Sequence, residues 1–335
     1  MNDTNAENGT RQPLGLDVGT SRIVVARNAD KKIRYESQLN AFIALPYSKL
    51  TESLLDQQNV LHEVQGQEII VSGNDSQKFA DIFHVDTRRP MLNGLLNPRE
   101  PHGLAVLRCI ITKLIGRAAK EGQQVFFSVP APTAEGEGSM AYHEASLRQL
   151  LSELGYDAKP ISEGLAVVYG ELGASNYTGI GISCGSGLCN ACLAVLSLPV
   201  ISFSVPKAGD FIDRQAALAT GDLATRIRIL KELDFHLNGF SGDRVQDALT
   251  VYYDEVVRGL VEALRGNLAN AQRLPKLEQS IPLVLSGGSA MPKGFLERFE
   301  ATLRADEFPV RISEVRVSPD PLHSTARGAL MAALC

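Results

Sequence analysis

The sequence predicts an α/β protein of two domains, each a sheet with helices packed against it. Three observations predict it. Two glycine turns, Gly19-Thr20-Ser21 and Gly185-Ser186-Gly187, each lie between strand-like apolar runs and fall about half a chain apart. Strand-like and helix-like periodicities alternate through both halves. The 335 residues are enough for two cores of ordinary size.

In chain order, residues 14–26 read as a strand, a small-residue turn and a β-branched strand leading away. A turn of this kind lets a ligand come close to backbone N–H groups. Residues 31–93 are more mixed; Glu68-Ile69-Ile70-Val71 is a strand, and Asn74 or Asp75 is placed to cap a short helix through Phe79 and Ile82. Leu104, Leu107, Ile110, Ile111, Leu114 and Ile115 recur at helical spacing. Residues 124–130 form a buried strand ended by proline, and a long helix carries Leu147, Leu150, Leu151 and Leu154 to its stop at Gly155. Residues 159–162 are short and extended, and Glu163 opens a small-residue helix.

The second hairpin joins residues 177–184 and 188–196, both apolar and uncharged. A strand at 200–205 follows, then a helix capped by Ala208-Gly209-Asp210. Residues 222–233 and 243–268 are helical in period, with a loop around Asn238 to Gly242. Residues 281–289 run as a strand into a glycine turn, a helix holds Phe295, Leu296, Phe299 and Leu303, and residues 320–330 are a turn and a small-residue helix.

Composition narrows the function classes. Apolar content of 44% with 21% charged residues is that of a soluble globular protein. A net charge of −5 with scattered Lys and Arg points to no nucleic-acid partner. No apolar run reaches the roughly 18 residues of a transmembrane segment. The first thirteen residues, MNDTNAENGTRQP, lack an apolar stretch and read as a disordered tail, which predicts a cytoplasmic protein. Cys184, Cys189 and Cys192 have the C-x4-C-x2-C spacing of plant-type iron–sulfur ligands, but a fourth ligand would have to come from Cys109 or Cys335. Small thiols filling the buried faces of a hairpin are the plainer reading.

Five segments in order resemble the actin/Hsp70-type ATPase superfamily, most closely its bacterial actin-like (MreB-type) and Hsp70-like members. They are GLDVGTS at 15–21, SEGLAVVYGE at 162–171, SCGSG at 183–187, LSGGSAMPKG at 285–294 and DPLHSTARGAL at 320–330. They are similar to the two phosphate hairpins, the adenosine motif and the two connecting helices. The resemblance implies two RNase H-like (actin-like) domains facing a nucleotide cleft that holds ATP and Mg²⁺. Domain I would span 14–174 with a small inserted subdomain about 33–93. Domain II would span 175–313 with a reduced outer subdomain about 220–275, and residues 314–335 would return to domain I.

The same resemblance implies roles. Asp17 would hold hydrated Mg²⁺, which favours oxygen ligands and keeps several waters. Gly19, Thr20, Ser21, Ser183, Gly185, Ser186 and Gly187 would cradle phosphates. Glu163 would position the attacking water, set against the plain role of a carboxylate at a helix N-terminus. Gly287, Gly288 and Ser289 would lie against adenine and ribose, and Gly209 with Asp210 would form the ribose-side turn. Arg22 fits either an added charge at the site or a place on the surface.

The departures set the expected activity. The family usually has an Asp where this chain has Ser183, and hydroxyls where it has Leu188 and Cys189. Losing general-base assistance typically costs ~10²–10⁴ in rate. The expectation is an actin-like ATP-binding cytoskeletal protein that assembles into homo-oligomers or filaments, with weak or absent hydrolysis. A cytoskeletal or scaffold partner protein would fit it. The alternative is a non-polymerising Hsp70-like or degenerate scaffold for which ATP or ADP is a conformational ligand. A minor alternative is a serine hydrolase using Ser183 in Gly181-Ile182-Ser183-Cys184-Gly185, a G-x-S-x-G match with His323 downstream. No H-E-x-x-H, no G-x-x-x-x-G-K-[ST] and no catalytic Asp for a sugar kinase is found.

Overall fold

A computed structural model describes residues 12–29, 32–132, 137–271 and 279–335. The tail expected over residues 1–13 lies, up to residue 11, outside the described residues. The chain opens with β1 (Leu14–Val18) and β2 (Arg22–Ala29), the first hairpin, and β3 (Lys32–Leu39) continues the antiparallel meander. Next come β4 (Phe42–Pro46), α1 (Lys49–Gln57), β5 (His62–Gln65), β6 (Glu68–Ser72) and α2 (Asn74–Phe83), a lobe around a small sheet of order β4-β6-β5. A two-residue turn at Asn93-Gly94, with both φ angles positive (49° and 77°), joins β7 (Met91–Leu92) to β8 (Leu95–Leu96). Then follow α3 (Gly103–Ile115), β9 (Gln123–Val129), α4 (Glu137–Glu153), β10 (Tyr156–Ser162) and α5 (Glu163–Glu171).

The second half repeats the plan. It runs β11 (Gly179–Cys184), β12 (Cys189–Val195), β13 (Leu198–Val205), α6 (Gly209–Thr220), α7 (Ala224–Asp234) and α8 (Arg244–Ala269). It closes with β14 (Ile281–Ser286), α9 (Phe295–Arg304), β15 (Ile312–Val317) and α10 (Ser324–Leu334). The large sheets have orders β10-β9-β1-β2-β3 and β13-β12-β11-β14-β15. In each, an antiparallel three-strand meander is extended by two parallel strands beyond its first member. The mixed α/β architecture with two equivalent sheets matches the predicted fold class.

Each sheet buries apolar side chains beneath its helices. Leu16, Ile23, Val25 and Phe127 pack with Leu107, Ile111, Leu147 and Leu151 in the first core. Ile182, Leu283 and Leu285 pack with Tyr253, Val257, Leu260 and Phe299 in the second. The long α8 starts where Asp243 accepts hydrogen bonds from Val245 N and Gln246 N. Between Asp210 and Ile281 the described residues carry three helices and no strand, with only an isolated bridge between His236 and Lys293. Asn74 does not cap α2: Gly73 precedes the helix, and Asn74 Oδ1 accepts from Leu39 N. Sequence periodicity misses β3 and β15, whose edge positions leave them half-exposed and charged.

The halves meet where α5 and α10 pack on each other between the sheets. A Cβ added at Gly328 would fall 1.7 Å from the carbonyl oxygen of Ala166. At the end of this contact Glu171, nearly fully buried, pairs with Arg327 and with Arg316 at 3.1 Å, and accepts from Ser318 and Ser324. Burial pushes its carboxyl up, but these hydrogen bonds and the two guanidinium charges outweigh it, and the net shift is down.

Two alanine substitutions should separate structural from dispensable glycines. Gly328→Ala forces backbone apart and should cost about 3 kcal/mol. Gly259→Ala, in α8 with nothing within 4 Å of its Cβ, should stabilise by about 0.5–1 kcal/mol. Urea unfolding of both variants measures the difference, and similar midpoints would contradict the close crossing of the two helices.

Candidate functional site

A cavity of about 450 Å³ lies between the two domains. The first hairpin supplies Asp17, Gly19, Thr20 and Ser21; the second supplies Ser183, Gly185, Ser186 and Gly187; Glu163, Gly287, Gly288 and Ser289 complete the set. Twelve of the fourteen residues expected at a site therefore line one cavity. A larger depression of about 720 Å³ beside β13 and the end of α8 has no titratable side chain in its lining.

The turns offer unused donors. Gly19 N closes the first turn on Arg22 O, and Gly185 N closes the second on Leu188 O, each at 3.0 Å. Among the described residues the amides of Thr20, Ser21, Ser186 and Gly187 have no internal hydrogen bond. Thr20 Oγ1 accepts from Gly94 N at 3.2 Å, which leaves its own proton free to donate. A Cβ at Gly187 would fall 2.4 Å from Gly94 N and 2.5 Å from Thr20 Oγ1. The tips of the two hairpins are thus brought together through the Asn93-Gly94 turn.

Two carboxyls lie on the cavity floor. Asp17 Oδ1 accepts from Ser128 Oγ at 2.8 Å, and that oxygen accepts from Val18 N. Burial raises the Asp17 carboxyl to about 6 against the opposing effects of the Ser128 bond and the facing His323. Glu163 opens α5, and its Oε2 accepts from both Ser183 Oγ (2.9 Å) and Asn190 Nδ2 (3.0 Å). Asn190 Oδ1 accepts in turn from Ala131 N. Burial first, then repulsion from Asp17, raises the Glu163 carboxyl to about 8. Two neighbouring carboxyls that resist ionisation suit a hard divalent cation with oxygen ligands.

Two expected residues lie behind the wall. Gly209 N donates to Gly185 O at 3.2 Å and Asp210 N to Ser186 O at 2.7 Å, so these amides buttress the second hairpin. The Asp210 carboxylate pairs with Arg89 at 2.6 Å, across the cleft. Gly287 is glycine because its φ is 89° and a Cβ would fall 2.3 Å from Cys184 O; an approaching ligand is not the reason. Ser289 spends its hydroxyl on Gly185 O at 2.8 Å, whereas Gly288 is open toward Leu322.

Sequence reasoning missed the wall built by α7 and α8. Buried Lys231 pairs with Asp213 at 2.6 Å and donates to Gly209 O. Arg228, Phe235, His236, Met291 and Lys293 also line the cavity, as does Tyr253, whose buried hydroxyl has no partner. Arg228 and Lys231, three apart on one helix, were the available signal, but exposed cations have the same spacing.

The other readings lose their geometry. Ser183 lies inside β11, its hydroxyl goes to Glu163, and the chain returns as β12 where a nucleophile elbow needs a helix. His323 bonds Asp320 and stacks on Tyr35 with ring centroids 4.4 Å apart. Cys184 and Cys189 are cross-strand partners in the second core, while Cys192 packs on the opposite face with Val167 and Val168. The three thiols therefore do not converge.

Comparison with known proteins places the whole arrangement. The family model described as Volactin matches residues 13–333. The chain belongs to the Volactin family. Among solved structures it resembles the MamK double helical filament, with a TM-score of 0.75 at 19% identity, covering 96% of this chain and 98% of that one. A non-polymerising MamK mutant bound to AMPPNP gives 0.61 at 19% identity, over 98% of this chain and 100% of that one. MreB5 of Spiroplasma citri bound to ADP gives 0.66 at 16% identity, over 96% and 95%. The fold is the actin-like two-domain fold. No sequence of a curated protein matches the chain. Among the described residues no helix is long and apolar enough to cross a membrane.

The floor carboxyls give the protein without ligand a pH signature. Both hold protons to higher pH in the folded than in the unfolded chain, from ordinary values of 3.8 and 4.5 to about 6 and about 8. Their stabilising contribution is complete below the unfolded values and is lost as pH rises through about 6 and then about 8. Melting temperature without nucleotide or divalent cation should fall over that window, and Glu163→Gln should flatten its upper part. A Glu163→Gln melting profile parallel to that of the parent protein would contradict the buried pair.

Proposed function

We propose that the cleft binds ATP, and its product ADP, with Mg²⁺, and that the chain is an actin-like cytoskeletal protein that self-associates and hydrolyses ATP slowly. One observation carries the reading: unused amides at Thr20, Ser21, Ser186 and Gly187 line a shared cavity whose floor holds Asp17 and Glu163. Amides at tight turns are good anion donors, and a polyphosphate spanning the cavity would engage both hairpins at once. The nucleotides bound to the MamK mutant and MreB5, and the MamK filament, support the ligand class and the assembly. A cytoplasmic location and a cytoskeletal or scaffold partner protein fit the same reading.

The residues divide the work. Asp17 would hold the cation, supported by Ser128. A bound Mg²⁺ supplies charge neutralisation on the phosphates and orders water. Glu163 is the carboxyl able to accept a proton from water, through Oε1, since Oε2 already accepts from Ser183 and Asn190. A carboxyl raised by burial and by Asp17 is a poor base when protonated, and Ser183 adds no negative charge beside it. Both features favour slow turnover.

Calorimetry should detect ATP binding that requires Mg²⁺ and is lost in Asp17→Ala; no binding by the parent protein would end the nucleotide reading. Light scattering should rise on adding Mg²⁺–ATP, and none in any nucleotide state leaves the non-polymerising scaffold. Ser183→Asp alone should destabilise the protein by facing Glu163 with a second carboxylate. Combined with Glu163→Gln it should release phosphate at least ~10-fold faster than the parent. A double variant no faster than the parent would locate the slow step elsewhere.

A further inference from the structure

Four Lys and Arg side chains line the cavity. Lys231 is neutralised by Asp213, Arg228 reaches Gln77 at 2.8 Å, and Lys293 stands exposed at the mouth. Arg22 differs from all three. It is half-buried, and its guanidinium has no hydrogen-bond or ion-pair partner among the described residues. Directly opposed residues of an antiparallel pair share a face, as do residues two apart on one strand. Asp17 opposes Val24, so Asp17, Val24 and Arg22 share the face of the first hairpin that turns to the cleft. Asp17 takes its hydrogen bond from Ser128 and does not pair with Arg22.

A half-buried cation without a counter-charge is unfavourable and is relieved when an anion arrives. A guanidinium presents a planar fork of donors that matches two phosphate oxygens at once. We propose that Arg22 is a phosphate-recognition residue, gripping the anionic chain of the nucleotide together with the amides of Thr20 and Ser21. The inference rests on the nucleotide reading of the cleft and names the side chain that distinguishes charged from uncharged ligands. It also gives the cleft face of the first hairpin a source of positive charge, since the hairpin has no lysine and its other arginine, Arg27, is engaged by Glu36 and the Leu114 carbonyl.

The test is calorimetric titration of the parent protein, Arg22→Ala and Arg22→Lys with ATP, tripolyphosphate and adenosine, in Mg²⁺ buffer. Arg22→Ala should weaken ATP and tripolyphosphate roughly ten- to hundredfold and leave adenosine within about twofold. Arg22→Lys keeps the charge but not the fork and should recover part of the loss. Added salt should narrow the gap between parent and Arg22→Ala. The melting temperature of ligand-free Arg22→Ala should equal or exceed that of the parent, because an unpaired charge is removed. Unchanged ATP affinity in Arg22→Ala, or equal weakening of ATP and adenosine, overturns the role of Arg22 and leaves the nucleotide site standing. If the parent binds none of the three ligands, the nucleotide reading falls and this inference falls with it.

Discussion

The structure depends on two helices crossing at backbone distance between two sheets. Gly328 on α10 lies where any side chain would strike the Ala166 carbonyl of α5, and Gly164 and Gly181 bring α5 close to the second sheet in the same way. Because helix meets helix and sheet without intervening side chains, the ends of β1 and β11 reach a common level. That level is where both hairpins turn. A wider crossing would draw the two sets of free amides apart, and neither set alone encloses a ligand. Glu171, its side chain buried, pairs with the half-buried Arg316 and Arg327 at the other end of the same contact and adds a charged clasp to the close glycine crossing.

Around the cleft a second set of contacts joins the outer parts of the domains. Arg89 reaches Asp210, Arg228 reaches Gln77, and Thr225 bonds Asp86. Asp210 also donates its amide to Ser186 O at the tip of the second hairpin. The rim is therefore joined to the hairpin through one residue.

Much of this was legible in the sequence because the chemistry demanded local patterns. Two strand–turn–strand runs with glycine at the turn can be read from residue type alone, as can Glu163 at the head of a small-residue helix. What escaped had no local signature. The strand β3 alternates charged and half-buried residues at a sheet edge, and its pattern resembles a loop. Lys231 and Arg228 have the spacing of a solvated helix face, and tertiary packing buries them, Lys231 against Asp213 of α6 and Arg228 toward Gln77 of α2. Gly209 and Gly287 show the reverse error. They signal close approach correctly, but what approaches Gly287 is the backbone of Cys184, and what approaches Gly209 is the Ser289 hydroxyl together with the backbone of Ser186.

The replacement of the usual Asp by Ser183 looks at first like simple loss, and the geometry argues otherwise. An Asp at this position would face the Glu163 carboxyl, whose Oε2 now accepts from Ser183 at 2.9 Å. Two carboxylates at that separation inside a buried floor already holding Asp17 would repel strongly. A hydroxyl donates there instead and, with Asn190, holds the glutamate in one orientation. Serine at 183 and glutamate at 163 are thus one compatible pair. The floor thus keeps the Glu163 carboxyl of α5 facing the cleft, held by two donors from the second hairpin instead of opposed by another carboxyl.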